Sequence, residues 1–431
     1  MLPKVSEDFV QYVWKFGLFD KIDLETNFGE KIEILKQGTQ NNKHGGPDFI
    51  NAKIKIGDTV WAGNVEIHLY NKNWQEHKHQ ENKAYNNVIL HVVYYNEDVK
   101  PIILQNGRAV PTISIGHKIY QSTLQQYLKL FEGKPSFIPC ENLIKDVDDF
   151  IISNFLESLL YERLERKVTD IEKDLEYAHG DLDYAFLITL FKYFGAPANK
   201  DAFELLARSF TLTQLLKQNL SKQQLESFLF GLAGMLNSKN AYALKLQNEY
   251  EYTKKLFKLK QFCKASQWKY AGVRPPNFPT VRIAQLAALL YKEPRLFSKI
   301  LEIDSIKELK ELFEIQVSEF WLKHYTFEKE SPKISKNISE SFKEKLIINV
   351  VVPFVFFYGK YINEQKYVDK ALNILQDINA EQNSIITKYK TLNFNLKNAS
   401  QTQAVLTLHK SYCSAKKCLE CRIGYELLKA K

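Results

Sequence analysis

The segment GGPDFINAKIKIGDTVWAGNVEIHLYNKNW, running from Gly45 to Trp74, decides how the first part of this chain folds. Its β-branched and aromatic residues alternate with polar ones on either side of Gly57-Asp58-Thr59, the pattern of two antiparallel strands closed by a tight turn. Side chains two apart on a strand share a face, so Glu66 and His68 point one way while Val65, Ile67 and Leu69 point the other. Asp48 follows the bend Gly45-Gly46-Pro47, and closure at the turn brings it near the level of Glu66. Two carboxylates in one place repel unless a cation lies between them. A hard divalent ion, Mg²⁺ or Mn²⁺, suits the oxygen ligands of Asp48, Glu66 and a main-chain carbonyl near Ile67. Such an ion polarises a phosphodiester and acidifies an attacking water, with His68 beside it as base or charge stabiliser.

Outward from this hairpin, KIEILKQG, NVILHVVYY and KPIILQ read as further strands bounded by Gly, Asn and Asp. SEDFVQYVWKFGLF reads as a helix, since Phe9, Val10, Val13, Trp14 and Phe16 recur at spacings of three and four behind a Ser6 cap. A second helix is expected over WQEHKHQENKAYNN, before NVILHVVYY. The resulting order is helix, three strands, helix, strand. After about Asp146 the strands stop, and DDFIISNFLESLLYERLERKVTDIEKDL opens a run of helical patterns. The expected fold class is therefore α+β: an αβββαβ domain over residues 1–145 and an all-helical domain over 146–431 that carries a C-terminal cysteine cluster.

Pro47-Asp48 followed by Glu66-Ile67-His68, on that order of elements, resembles the PD-(D/E)xK nuclease superfamily, which has the restriction-endonuclease-like fold. The resemblance covers roughly residues 1–120 and implies a Mg²⁺-dependent nuclease whose acids hold metal. It puts His68 where the superfamily has Lys, a departure that leaves the metal ligands intact and places hydrolysis in question. It also makes Glu7, on the first helix, the candidate that completes the site. The whole chain is also similar to an uncharacterised bacterial family of unknown function, which implies no activity.

Five of the nine histidines, His44, His68, His77, His79 and His91, fall between positions 44 and 91. His77 and His79 lie two apart and cannot share one side of a regular helix. They either reach a phosphate or metal together from a loop, or belong to a solvated turn. Tyr85 either puts its hydroxyl into the cleft or packs as a core aromatic. His91 shares a face with Ile89 and Val93 and reads as a buried core histidine, and Asn64 either bonds a phosphate or orients Glu66 and His68. A zinc site competes for these imidazoles.

The tail HKSYCSAKKCLECRIG offers His409, Cys413, Cys418 and Cys421. These four suit zinc; alternatively the three thiolates hold an iron–sulfur cluster with Cys140 or Cys263 as fourth ligand, or the cysteines are incidental. KKLFKLKQFCKASQWKYAGVRPPNFPTVR gathers Lys254, Lys255, Lys258, Lys260, Lys264, Lys269, Arg274 and Arg282 among Phe257, Phe262, Trp268 and Tyr270. It either neutralises phosphates and stacks on bases, or is an amphipathic face with solvated lysines.

A net charge of +9 over 431 residues suits an anionic partner such as nucleic acid, and 45% hydrophobic with 25% charged residues excludes general disorder. The apolar run LIINVVVPFVFFYG is too short to span a bilayer and reads as core. The opening MLPKVSEDFVQYVW lacks a basic stretch followed by an apolar one, so no leader is expected. Five cysteines without a disulfide framework fit a cytoplasmic protein. Taken together the residues support a metal-dependent nuclease acting on DNA or RNA. The alternative is an inactive nuclease-fold protein that binds nucleic acid or acts as a scaffold, and a third reading is a zinc hydrolase for a small substrate.

Overall fold

The computed structural model describes residues 2–41, 45–95, 101–131, 136–216, 220–259 and 263–429, so His44, Lys260 and Phe262 lie outside the described residues. The fold is α+β. Two compact units are present, one formed by Met1–Phe155, Thr391–Asn393 and Leu408–Lys431, the other by Leu156–Lys390 and Phe394–Thr407.

The first unit begins with helix α1 (Glu7–Phe16), whose N-cap Ser6 accepts the Phe9 N–H and whose end is turned by Gly17 in the left-handed conformation. The sheet follows: β1 (Leu24–Glu25), β2 (Lys31–Lys36), β3 (Thr39–Gln40), β4 (Phe49–Ile56) and β5 (Thr59–His68). Then come a single helical turn, α2 (Asn73–Glu76), and β6 (Val88–Val93), β7 (Ile102–Ile103), β8 (Ala109–Val110) and β9 (Thr112–Ser114), before helix α3 (Gln121–Phe131). The strand order is β1-β2-β4-β5-β6-β9, with β3 on β4 and β7-β8 as a separate ribbon. Pairs up to β4·β5 are antiparallel, whereas β5·β6 and β6·β9 are parallel.

The β4·β5 hairpin closes at Gly57, which adopts φ 57° where a side chain would be strained, and pairs Ile56 with Thr59. At its far end Phe49 pairs with Val65, which sets Asp48 beside Glu66. An irregularity lies between Phe49 and Ala52, where Asn51 has φ 58°, and its N–H reaches Asn64 Oδ1. Asn64 is thus spent on the bulge that aims the Asp48 end of β4.

The helix expected over residues 74–87 is broken. After α2 the chain passes through Lys78 in the left-handed region, a 3-10 turn at His79–Glu81, extended Asn82, and a second 3-10 turn at Lys83–Tyr85. Asn82 accepts the Ala84 N–H through its side chain, a local bond that competes with helix continuation.

The second unit is helical, with long buried segments such as Leu182–Gly195, Lys222–Leu232 and Pro279–Lys292. The apolar run forms a π turn, Ile347–Val351, leading into the helix Val352–Tyr361, and is buried nearly throughout. Among the described residues no helix is long and apolar enough to cross a membrane.

The tail differs from expectation, because residues from Leu408 onward pack in the first unit and not in the helical one. The cause is apolar. Ile423, Leu427 and Leu428 of the helix Arg422–Leu428 are buried, Tyr425 tilts against Phe16, His409 stacks on Phe137, and the Leu428 carbonyl accepts the Thr123 hydroxyl.

Candidate active site

The hairpin and the turns after β5 assemble an acid–imidazole centre. Glu66 Oε2 accepts the Asp48 N–H at 2.9 Å, and Asp48 Oδ2 accepts the Ile67 N–H at 2.9 Å. Each carboxylate is therefore clamped to the other's strand, with one oxygen apiece left over. Asp48 Oδ1 accepts Gln11 Nε2 from α1 at 3.0 Å. Glu66 Oε1 faces His79 Nε2 at 3.1 Å and His68 Nε2 at 3.6 Å. His79 Nε2 is buried and makes no hydrogen bond, and its contact with the Glu66 oxygen is an ion-pair approach at 3.1 Å.

A line of imidazoles runs behind this pair. His68 Nε2 meets His77 Nδ1 at 3.2 Å, His68 Nδ1 meets His91 Nε2 at 2.9 Å, and His91 Nδ1 meets the Thr112 hydroxyl at 3.3 Å. His68 and His91 are buried, while His77 is exposed and forms the open end. His68, His77 and His79 each offer a ring nitrogen within 4.8 Å of the others. Trp74 is edge-on to His68, His79 and His91, and Tyr85 stacks on His79 with centroids 3.9 Å apart. Tyr85 is buried against His79, and its hydroxyl also takes a main-chain hydrogen bond at Gly46 within reach of the Glu66 and Asp48 charges, so both expected placements are combined.

The broken helix is what joins His77 to His79. A regular helix would separate residues two apart by about 200°, whereas the left-handed Lys78 between them turns both rings inward. His68 differs from the open base or charge expected in the Lys position: it is 1% exposed and both nitrogens are engaged, so it can act outward only through His77. Glu7 is half-buried and electrostatically coupled to His77 and His79. Gln11, Thr112 and the His91 link lie beyond what the motif signals.

Burial sets the charge state. It raises the carboxyls of Asp48, Glu66 and Glu7 above the usual carboxylate range, and for Asp48 the Glu66 charge adds to the rise. Burial also pushes His68 down to about 2, His79 to about 4 and His91 to about 3, so these rings are neutral at pH 7. The linkage follows. Acids with raised values add stability that is fully present below their ordinary value near 4 and is lost as pH rises through the folded value. Imidazoles with lowered values do the reverse, but above about pH 6.5 they are neutral in both states. The metal-free protein should therefore lose stability as pH rises from about 6.5, and Mn²⁺ should flatten that decline. Thermal melts across pH with and without Mn²⁺ check this; a flat metal-free profile contradicts it.

The basic stretch does not form the surface its composition suggests. Trp268 is buried, donates Nε1–H to the Ala233 carbonyl and meets Phe203 edge-on, so it is no stacking platform. Arg282 is also buried, over the Phe342 ring and bonded to Gln285 and Asn277. Lys255, Lys258, Lys264, Lys269 and Arg274 are exposed, and Lys254 is half-buried. Trp268→Ala is expected to destabilise the second unit by about 3–5 kcal/mol, visible as a lower melting temperature. In the tail, the void beside Cys413, Cys418 and Cys421 is lined by Cys140, and its lining does not include His409.

Paired carboxylates and neutral imidazoles at one end of a mixed sheet define this as an α+β chain with a buried polar centre. The chain belongs to the family described as Protein of unknown function (DUF2851), which matches residues 7–384. No curated protein and no solved structure matches it.

Proposed function

We propose that this chain is a divalent-cation-dependent phosphodiesterase acting on DNA or RNA, with Asp48 and Glu66 as the carboxylates that hold Mg²⁺ or Mn²⁺. The observation that carries this reading is the reciprocal clamp of Asp48 and Glu66, with the unbonded His79 Nε2 aimed at the same place. Oxygen ligands with an added imidazole favour Mn²⁺ over Mg²⁺. Held by Asp48 and Glu66, such an ion would supply charge for the phosphate oxygens and acidify a water.

The chain's own part is proton handling. If Thr112 donates to His91, His91 to His68 and His68 to His77, then His77 Nε2 carries a proton at the open end. If every bond in the line is reversed, His77 Nε2 is a free base. In the second state the exposed ring can take a proton from water at Nε2, becoming an imidazolium, and give the same proton to the leaving oxygen, while His68 and His91 set its tautomer. His77 is the proposed base, Glu7 the outer acid that steadies it, and His68 a positioning residue.

The test is cleavage of single- and double-stranded DNA and RNA with Mn²⁺, Mg²⁺ or chelator, beside Asp48→Asn, Glu66→Gln and His77→Ala. Cleavage that needs the cation and fails in the two carboxylate variants supports the reading. Cleavage retained in both removes the centre. Nucleic-acid binding without cleavage by the unaltered protein instead favours the binding or scaffold role. The convergence of His68, His77 and His79 favours a second reading, a zinc hydrolase for a small substrate, which one bound zinc per chain would identify.

A further inference from the structure

Four of the five cysteines surround one small void inside the first unit. Cys140 comes from the segment after α3, and Cys413, Cys418 and Cys421 come from the tail; Tyr412 and Gly424 help close the wall. The enclosed cavity itself is small, about 10 Å³. No disulfide joins these residues, and Cys140, Cys418 and Cys421 are buried. Buried cysteine alone behaves as a small apolar side chain. Four cysteines, three of them buried, converging on one void from two distant segments have the make-up of a ligand set.

The wall is shaped around sulfur. A Cβ on Gly424 would stand 2.0 Å from the Cys418 carbonyl oxygen, so glycine there lets the chain after Cys421 fold back over Cys418. The main-chain N–H groups of Ile423 and Gly424 are directed to the Cys421 sulfur, the outer-shell donation that metal thiolates use. Spacing then selects the metal. Zn–S bonds of about 2.3 Å put tetrahedral sulfurs about 3.8 Å apart. Among the described residues no three cysteine sulfurs lie within 4.8 Å of one another. A wider set of four around a void fits a cluster of iron and sulfide, whose four iron atoms each bind a separate thiolate.

We propose that Cys140, Cys413, Cys418 and Cys421 ligate a [4Fe–4S] cluster that ties the tail to the segment after α3. Each thiol loses its proton as its Fe–S bond forms, and two ferrous ions, two ferric ions and four sulfides come from solution, which gives the dithionite-reducible state with no further oxidant. Cys140 takes the fourth position, and His409, occupied in its stack on Phe137, does not.

Full-length protein purified without oxygen should contain about four iron and four sulfide per chain, with a visible charge-transfer band that dithionite bleaches. Cys140→Ser and Cys413→Ser, one on each segment, should each lose most of the iron and sulfide. Cys263→Ser, in the second unit, and Asp48→Asn should keep both, which separates this site from the carboxylate centre. Should a variant fail to fold, anaerobic reconstitution of the metal-free unaltered chain with ferrous and ferric iron in equal parts and sulfide gives the same reading, with uptake expected. One zinc per chain in place of iron and sulfide, no sulfide uptake on reconstitution, or full iron in Cys140→Ser would each overturn the assignment.

Discussion

Asp48→Asn is expected to lower Mn²⁺-dependent cleavage by about 10³-fold, the scale of losing a principal electrostatic group in an active site, and at the same time to raise the melting temperature of the metal-free protein. Both effects come from one charge. Asp48 is held against Glu66 by main-chain bonds that do not depend on a metal, so the unloaded protein confines two acids that burial and mutual repulsion disfavour as anions. Asparagine keeps an oxygen for the Ile67 N–H, and its amide can face Gln11 if that amide flips. Packing is conserved while repulsion goes, a gain on the order of 1 kcal/mol, or ~2–4 °C for a unit of this size. The gain should shrink when unaltered protein is melted with saturating Mn²⁺, because the ion already relieves the same repulsion. Cleavage assays and paired melts check both halves; equal melting temperatures without metal would sink the argument for stored repulsion.

The second large effect is at Gly424. Gly424→Ala should cost about 3 kcal/mol, the upper range for overpacking, because the added carbon meets a main-chain oxygen at 2.0 Å and no rotamer change can move it. The loss should appear as a lower melting temperature and lower iron content together, since the same turn closes over Cys418. Gly45→Ala, where an added carbon meets nothing within 4 Å, is the matched control and should melt near the unaltered protein. A Gly424→Ala protein with unchanged stability contradicts the packing described.

The β4·β5 hairpin is legible in the sequence because period-two alternation and the Gly57 turn act locally, and they fix which residues stand opposite one another. That register alone would set Asp48 opposite Ile67; the irregularity between Phe49 and Ala52, which no local pattern announces, shifts it by one residue to stand beside Glu66. The turns after β5 are not legible, because apolar spacing reports a helix while the break depends on Asn82 capping Ala84 and on Lys78 leaving the right-handed region. Thr112 beside His91 depends on the parallel pairing of β6 with β9, which no local pattern encodes. Trp268 shows the same limit from the other side: flanking lysines say nothing of whether an indole turns outward, and here the Ala233 carbonyl holds it in. Cys140 joins the tail cysteines only through the fold, far from them along the chain.

The discontinuous make-up of the first unit bears on how it is born. During synthesis the sheet and α1 leave the ribosome early, yet the segment beginning at Leu408, whose Tyr425 meets Phe16, is made only after the whole helical unit. The helical unit has almost all of its chain available before that point and can mature first, reversing the usual amino-to-carboxyl sequence of domain folding. Until that segment is made, the first 155 residues wait without the Tyr425 ring that meets Phe16 and without the tail cysteines that face Cys140.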